Sequence, residues 1–126
     1  MREAIQGDRP PGLPFSVGVR GPGVIYLSGQ VGLDPSTGKL VSADVAAQTA
    51  QTLENIRALL ESVGSSMDEV LRVNVYLTSM ESFAAMNVVY ARHFRQPFPA
   101  RTTVAVKELP LGAGVEIEMT VADRRA

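Results

Sequence analysis

Residues 44–64 read DVAAQTAQTLENIRALLESVG, and this stretch decides the class of fold. Its apolar positions recur at spacings of three and four residues, which predicts a helix with one buried face. That face carries Val45, Thr49, Leu53, Ile56, Leu60 and Val63. Asp44 or Ser42 can cap its start, and Gly64 stands where a left-handed C-terminal cap is expected. At 1.5 Å per residue such a helix is roughly 30 Å long, enough to cover a sheet.

The chain before this helix predicts a β-hairpin. Two β-prone runs, residues 16–20 and 24–31, flank the turn Gly21-Pro22-Gly23. The continuous apolar run at residues 24–27 is typical of a strand buried on both faces. Residues 8–14 are rich in proline, which predicts an extended lead-in rather than a helix or a central strand.

Three more strands are predicted after the helix, at residues 71–77, 101–106 and 115–121. The first alternates, with inward positions at Leu71, Val73, Val75 and Leu77. The last also alternates, and its outward positions are Glu116, Glu118 and Thr120.

A second helix is predicted between the first two of these strands. Thr78 and Glu81 form a capping-box pattern, and Pro97 lies beyond the helix end. Its inner side carries Phe83, Met86, Val89 or Tyr90, and Phe94.

The element order is therefore β-β-α-β-α-β-β, which indicates an α+β domain with two helices packed on one face of a mixed sheet. The 126 residues form one predicted domain, residues 1–126. The other face of the sheet, with its polar row on the last strand, needs either solvent or a partner.

Composition excludes several classes of site. The chain has no cysteine and one histidine, His93, so disulfides, thiolate catalysis and a usual zinc site are excluded. Neither a phosphate-binding loop nor a nucleophile elbow is present in the sequence. His93 is interpreted as a surface group at a helix end.

Partners and location follow from charge and hydropathy. Twelve basic residues face thirteen acidic ones, a balance that disfavours a broad nucleic-acid surface. No segment approaches the ~20 apolar residues needed to cross a bilayer, and we expect no membrane contact and a cytoplasmic protein.

Arg101 is a candidate binding residue because it opens a strand directly after Pro99-Ala100. The fixed proline backbone would hold its Cα rigidly, which suits an arginine that presents its planar fork to a carboxylate. The alternative is a surface salt bridge with Glu116 or Glu118.

Further candidates lie on the last strand and at the ends of other elements. Glu116 among apolar neighbours suits a general base or a water-holding group, but Glu118 competes with it, and periodicity cannot choose between the two. Gly29 would let a ligand approach the backbone, or it marks a bulge. Asn87 is either a polar contact at a helix–strand junction or an exposed side chain.

Four segments together resemble the reactive intermediate deaminase family, also called the Rid or YjgF family. They are Ser28-Gly29-Gln30, Asp44-Val45-Ala46-Ala47-Gln48, Phe98-Pro99-Ala100-Arg101-Thr102 and Val115-Glu116-Ile117-Glu118. They occur in the family's order and near its spacing, from about residue 12 to residue 122. The Pro-Ala-Arg segment with the late Glu-Ile-Glu is the specific part.

The resemblance implies a chorismate-mutase-like fold assembled as a homotrimer, in which the sheets line a barrel and ligand clefts lie between subunits. It implies hydrolysis, without a cofactor, of reactive enamines and imines such as 2-aminoacrylate to 2-oxo acids and ammonia.

The resemblance also implies roles for individual residues. Arg101 matches the arginine that binds the substrate carboxylate, and Glu116 the residue that orients or activates water. Gly29 matches a backbone contact, Asn87 a cleft asparagine, and Phe15 the aromatic residue of the cleft wall, where many relatives have tyrosine.

Thr103 stands where many deaminases have cysteine, and backbone groups near it and near Gly29 are expected to hold the nitrogen end of a small imino acid. Two alternative functions remain open from the sequence. One is a non-catalytic protein that senses small carboxylates in the same cleft, and the other is an RNA-acting protein of the endoribonuclease kind.

Overall fold

The computed structural model describes residues 1–7 and 12–124, so the predicted lead-in at residues 8–14 lies partly outside the described residues. Six strands and two longer helices are described. The strands are β1 (Glu3–Ile5), β2 (Gly18–Gly21), β3 (Val24–Leu27), β4 (Val70–Leu77), β5 (Ala100–Ala105) and β6 (Val115–Ala122). The helices are α1 (Val45–Ser62) and α2 (Phe83–Ala91), and short 3₁₀ turns precede β4, α2 and β6.

The strands form one mixed sheet in the order β1-β2-β3-β6-β4-β5. Neighbouring strands are antiparallel except for β4 and β5, which run parallel and are joined through α2. Strand β6, the last in the chain, is inserted between β3 and β4. Consequently β5 is an edge strand, with β4 on one side only.

Both helices pack on one face of this sheet, as the element order predicts, and the arrangement is the α+β fold expected from the sequence. The core between the layers consists of fully buried aliphatic side chains from α1, α2 and the central strands. They include Ile25, Leu53, Ile56, Leu60, Val75, Met86 and Ile117. Full burial of each such side chain stabilises the fold by about 1.5–3 kcal/mol.

The prediction of α1 is confirmed at both ends. The Asp44 carboxylate accepts a hydrogen bond from the backbone N–H of Ala47 at 3.0 Å. Gly64 follows the helix with φ of 81°, the left-handed conformation that glycine adopts without strain. The buried Gln48 ties the helix to the start of β6, since its Oε1 accepts from the N–H of Gly114 at 2.9 Å.

The hairpin of β2 and β3 is also confirmed, but three details of the strand predictions are wrong. The run at residues 24–27 is buried on one face only, because Tyr26 is 54% exposed. Leu71 is 55% exposed, since an irregularity between Val70 and Arg72 shifts the alternation and buries Val70 instead. The strand β1, which pairs with β2, was not predicted.

The second helix begins later than the capping pattern indicates. The side chain of Ser79, not Thr78, accepts from the N–H of Glu81, and it opens a 3₁₀ turn at Met80–Ser82. α2 then starts at Phe83, which is 37% exposed and thus lies at the margin of the core.

A buried ion pair connects β2 with the residue that follows β6 and with the end of α1. Arg20 on β2 donates to both carboxylate oxygens of Asp123, at 3.0 and 3.1 Å, and to the carbonyl of Val63 at the end of α1. Both side chains of the pair are less than one tenth exposed. Removing one partner of a buried ion pair strongly destabilises a protein, because the other charge is left buried and unpaired.

Within the described ranges, no helix is both long and apolar enough to cross a membrane.

Candidate active site

Arg101 lies on the edge strand β5, directly opposite Val73 of β4. Residues paired in register share a face of the sheet, so the Arg101 side chain lies on the face that the helices cover. There it meets α2. Its Cζ is 4.6 Å from the centroid of the Tyr90 ring and 5.7 Å from that of Phe83, and its Nη1 is 4.0 Å from Met86 Sδ.

The Arg101 guanidinium has no ionic partner within residues 1–7 and 12–124. No carboxylate of this part of the chain lies within 4.0 Å of it, so the interpretation of Arg101 as one half of a surface salt bridge with Glu116 or Glu118 is wrong. Two aromatic faces and a thioether contact it instead, and these leave most of its N–H donors free for an external carboxylate.

Three buried polar atoms belong to the same helix–strand layer. Asn87 Oδ1 and the Tyr90 hydroxyl belong to α2, and Thr103 Oγ1 belongs to β5, two residues after Arg101. None of the three has a hydrogen-bond partner in the described part of the chain. Buried polar atoms are normally satisfied, because leaving one unpaired costs about 1–3 kcal/mol. Each of these atoms can form a hydrogen bond with a group from outside the described chain.

Glu116 lies on the other face of the sheet. It is paired with Tyr76 in register, one position away from the core-facing Val75 and Leu77, and so it faces away from the helices. Gly29 is its close neighbour: a Cβ at position 29 would lie 2.9 Å from both Cδ and Oε2 of Glu116. Reciprocal backbone hydrogen bonds between Gln30 and Ile117, at 2.8 and 2.9 Å, hold this segment against β6.

The two strand glutamates differ in their hydrogen bonds. Glu118 Oε1 accepts from Asn74 Nδ2 at 3.0 Å and from the Tyr76 hydroxyl, and the latter bond raises the pKa of Tyr76. The Glu116 carboxylate accepts no hydrogen bond within the described ranges. Burial, and to a smaller extent the charge of Glu118, raise the pKa of Glu116. Glu118 is thus engaged within the sheet, whereas Glu116 is available.

Phe15 lines an open groove on the same uncovered side, together with Tyr26, Ser28 and Glu118. The groove has a volume of about 640 Å³, and Phe15 is 46% exposed within it. The Ser28 hydroxyl donates to the carbonyl of Ser16 at 2.7 Å and fixes the wall of the groove next to Gly29.

The predicted site residues therefore form two groups on opposite faces of the sheet. Arg101, Asn87 and Thr103 lie between β5 and α2, and Gly29, Glu116 and Phe15 belong to the uncovered side. One chain does not bring Arg101 and Glu116 into the same pocket.

The surroundings of Arg101 were not assigned to the site from the sequence. The helical spacing of Phe83, Met86 and Tyr90 marks an inner stripe, but only the crossing of α2 over β5 shows that this stripe contacts Arg101.

No group of three or more histidine, aspartate or glutamate side chains suited to a metal ion occurs in the described part of the chain.

The chain is similar to known proteins over most of its length. Residues 6–123 match the family described as endoribonuclease L-PSP. A RutC family protein of Pyrococcus horikoshii is 44% identical over 105 residues, which are 83% of each chain. The human 2-iminobutanoate/2-iminopropanoate deaminase is 38% identical over 94% of this chain and 88% of its own length. The crystal structure of RidA from an Antarctic Psychrobacter species superposes with a TM-score of 0.88 at 38% identity, covering 96% of this chain and 99% of that one.

Proposed function

Because the chain belongs to the endoribonuclease L-PSP family, also called the Rid or YjgF family, we propose that it hydrolyses reactive 2-imino acids and their enamine tautomers to 2-oxo acids and ammonia. The human relative is named for 2-iminobutanoate and 2-iminopropanoate, which are small imino acids with one carboxylate. Water adds to C2 of the imine, the C–N bond breaks, and ammonia leaves as the C2 carbonyl forms. Water is the only co-reactant, so the proposal includes no cofactor.

The observation that supports this proposal most directly is that Arg101 has no ionic partner in the described chain. Its guanidinium is half-buried against α2. The same helix–strand layer holds buried polar atoms of Asn87, Tyr90 and Thr103 that lack hydrogen-bond partners in the described chain. A planar guanidinium binds a carboxylate through two parallel hydrogen bonds. In this proposal Arg101 holds the substrate carboxylate, while Asn87 and Thr103 contact the polar groups beside it.

Glu116 supplies the water-activating group. Burial raises the pKa of Glu116, which makes its carboxylate a stronger base than an exposed one. Gly29 leaves room beside this carboxylate for water and substrate, since any larger residue there would press on it. Phe15 forms the wall of the groove on the same side.

The two groups of residues meet when copies of the chain associate, and we propose a homotrimer. Arg101 lies at a sheet edge and Glu116 on a sheet face that no helix covers, so the edge of one copy packed on the uncovered face of the next unites them. Light scattering at micromolar concentration should give three times the 13.5 kDa mass of one chain. A monomer would contradict the shared site.

The direct test generates 2-imino acids in situ with an amino acid oxidase and measures the release of ammonia and 2-oxo acid above the spontaneous rate. A panel of amino acids as oxidase substrates tests which side chain is preferred. Acceleration by the wild-type protein supports the proposal, and a rate equal to the spontaneous one rejects it.

The same preparations separate the alternative functions. A sensor of small carboxylates would bind a 2-oxo acid in a calorimetric titration and leave the rate of imine hydrolysis unchanged. An RNA-acting protein would cleave a single-stranded RNA substrate, with an affinity that falls steeply as salt rises.

A further inference from the structure

We propose that Tyr90 and Phe83 are positioning residues for Arg101: their ring faces hold the guanidinium so that its N–H edge is directed to the substrate carboxylate. This inference rests on the proposed function and adds residues that the resemblance does not assign to the site.

Two aromatic rings of α2 lie next to the Arg101 guanidinium. The Arg101 Cζ lies over the Tyr90 ring at 4.6 Å and over the Phe83 ring at 5.7 Å. Aromatic faces attract a cation through their electron-rich surface and take none of its hydrogen-bond donors. Arg101 Nη1 is also 4.0 Å from Met86 Sδ, a weak acceptor that a carboxylate readily displaces.

An acidic side chain would also orient an arginine, but it would occupy the two-pronged edge that the substrate needs. The described chain places no carboxylate within 4.0 Å of Arg101. The rings therefore perform the orienting role that an ion pair performs elsewhere, and they leave the charge of Arg101 uncompensated for the incoming anion.

Tyr90 is itself buried. It is 4% exposed, and its ring lies 4.7 Å from that of Phe94 at an interplanar angle of 38°. Burial raises the pKa of Tyr90 to about 12, an effect that the positive charge of Arg101 only partly offsets. Tyr90 consequently remains a neutral phenol near neutral pH and does not compete with the substrate as an anion.

The test uses variants that remove one ring at a time. Phe83→Leu is the first, because Phe83 is 37% exposed and its replacement should leave the fold intact. Tyr90→Leu removes the closer ring, and Tyr90→Phe keeps that ring while removing the hydroxyl. Phe94→Leu is the matched control, since Phe94 packs on Tyr90 without a ring contact to Arg101.

Two quantities are measured for each folded variant: the dissociation constant for 2-oxobutanoate by calorimetry, and kcat and KM for imine hydrolysis. We expect roughly threefold weaker binding and higher KM for Phe83→Leu, and roughly tenfold for Tyr90→Leu, in line with typical cation–π interactions. Tyr90→Phe should recover most of the affinity lost in Tyr90→Leu. Phe94→Leu should lower the melting temperature and leave both constants near their wild-type values.

Wild-type affinity and KM in folded Phe83→Leu and Tyr90→Leu proteins would overturn the inference. So would an equal loss in Tyr90→Phe and Tyr90→Leu, because the hydroxyl and not the ring would then be responsible. A wild-type protein that binds 2-oxobutanoate but does not accelerate imine hydrolysis would reject the proposed function alone, since the binding measurements still test the positioning of Arg101. A wild-type protein that does neither would overturn both.

Discussion

Replacement of Gly29 by alanine tests whether the position of the Glu116 carboxylate matters. The added Cβ would lie 2.9 Å from Glu116 Cδ and Oε2, whereas ordinary van der Waals contact begins at 3.4 Å. The carboxyl group must therefore move by about 0.5 Å or more to restore normal contact. The Glu116 side chain is flexible at this end, so the movement costs the fold little.

The expected loss of activity is much larger than the loss of stability. A misplacement of about 1 Å in a reacting group can cost about a hundredfold in rate, so about half that shift should cost on the order of tenfold in kcat/KM. Tenfold corresponds to about 1.4 kcal/mol of transition-state stabilisation. The backbone of Gly29 is outside the left-handed region, so alanine adds no backbone strain and the melting temperature should hold or rise slightly.

Substitutions at two other glycines serve as controls for Gly29→Ala. A Cβ at Gly21 would meet only Val24 Cγ1, at 3.7 Å, so Gly21→Ala should change neither activity nor stability. A Cβ at Gly32 would lie 2.5 Å from the backbone carbonyl oxygen of Gln48, which cannot move aside without disturbing α1, so Gly32→Ala should destabilise the protein.

A double-mutant cycle with Glu116→Gln identifies the route of the effect. If alanine at position 29 acts by displacing the Glu116 carboxylate, it should cost little more once that carboxylate is gone. Fully additive losses would refute this reasoning and assign the effect to the approach of the ligand to the backbone of Gly29. Wild-type kcat/KM in Gly29→Ala would refute the role of the carboxylate position altogether.

Four substitutions test the remaining parts of the site and the fold. Arg101→Lys keeps the positive charge but removes the planar guanidinium that forms two parallel hydrogen bonds. We expect a large loss of kcat/KM in the imine assay with an unchanged melting temperature. Full activity would exclude binding of the substrate carboxylate by Arg101. Glu116→Gln should abolish most activity. Glu118→Gln should retain more activity and lose about 1 kcal/mol of stability, because the two hydrogen bonds to its side chain weaken. Equal losses of activity in the two variants would contradict the distinction between the glutamates. The pKa of Glu116 is higher in the folded chain than in the unfolded chain. Ionisation of Glu116 therefore lowers the free energy of unfolding as pH rises through these two pKa values, and below both of them the carboxyl group is protonated in both states and has no such effect. Glu116→Gln should consequently raise the melting temperature at about pH 7 and leave it unchanged at about pH 3, where the wild-type carboxyl is protonated in both states. Asp123→Ala leaves the buried Arg20 without its carboxylate and should destabilise the protein by about 3 kcal/mol in a denaturant titration, with little change in kcat/KM; a near-neutral result would mean that Arg20 finds solvent or another acceptor.

The helix α1 was predictable because its signals are local. The cap at Asp44, the apolar stripe and the glycine at residue 64 all act within a few residues of one another, and the structure has each of them in place. The errors arose where a distant element decides the outcome. The exposure of Leu71 depends on an irregularity in its pairing with β6, which no local alternation records.

The choice between the two strand glutamates shows the same limit. A period of two places Glu116 and Glu118 on one face and gives no further information. The difference comes from Asn74 and Tyr76, which belong to the neighbouring strand β4 and engage Glu118. These bonds from β4 to Glu118 join residues more than 40 positions apart, so a single sequence does not reveal them.

The separation of Arg101 from Glu116 has a physical consequence for the proposed mechanism. Had the fold placed the two in one pocket of one chain, they would form an ion pair, which would lower the pKa of the glutamate and occupy the fork of the arginine. Their positions on opposite faces of the sheet keep the guanidinium free of an ionic partner within the described chain and keep the pKa of Glu116 raised. In the proposed trimer, the bound substrate would lie between the two groups, with its carboxylate on the arginine and its electrophilic carbon near the glutamate. A trimer in which no single copy holds a complete site would account for both the unpaired arginine and the unpaired glutamate.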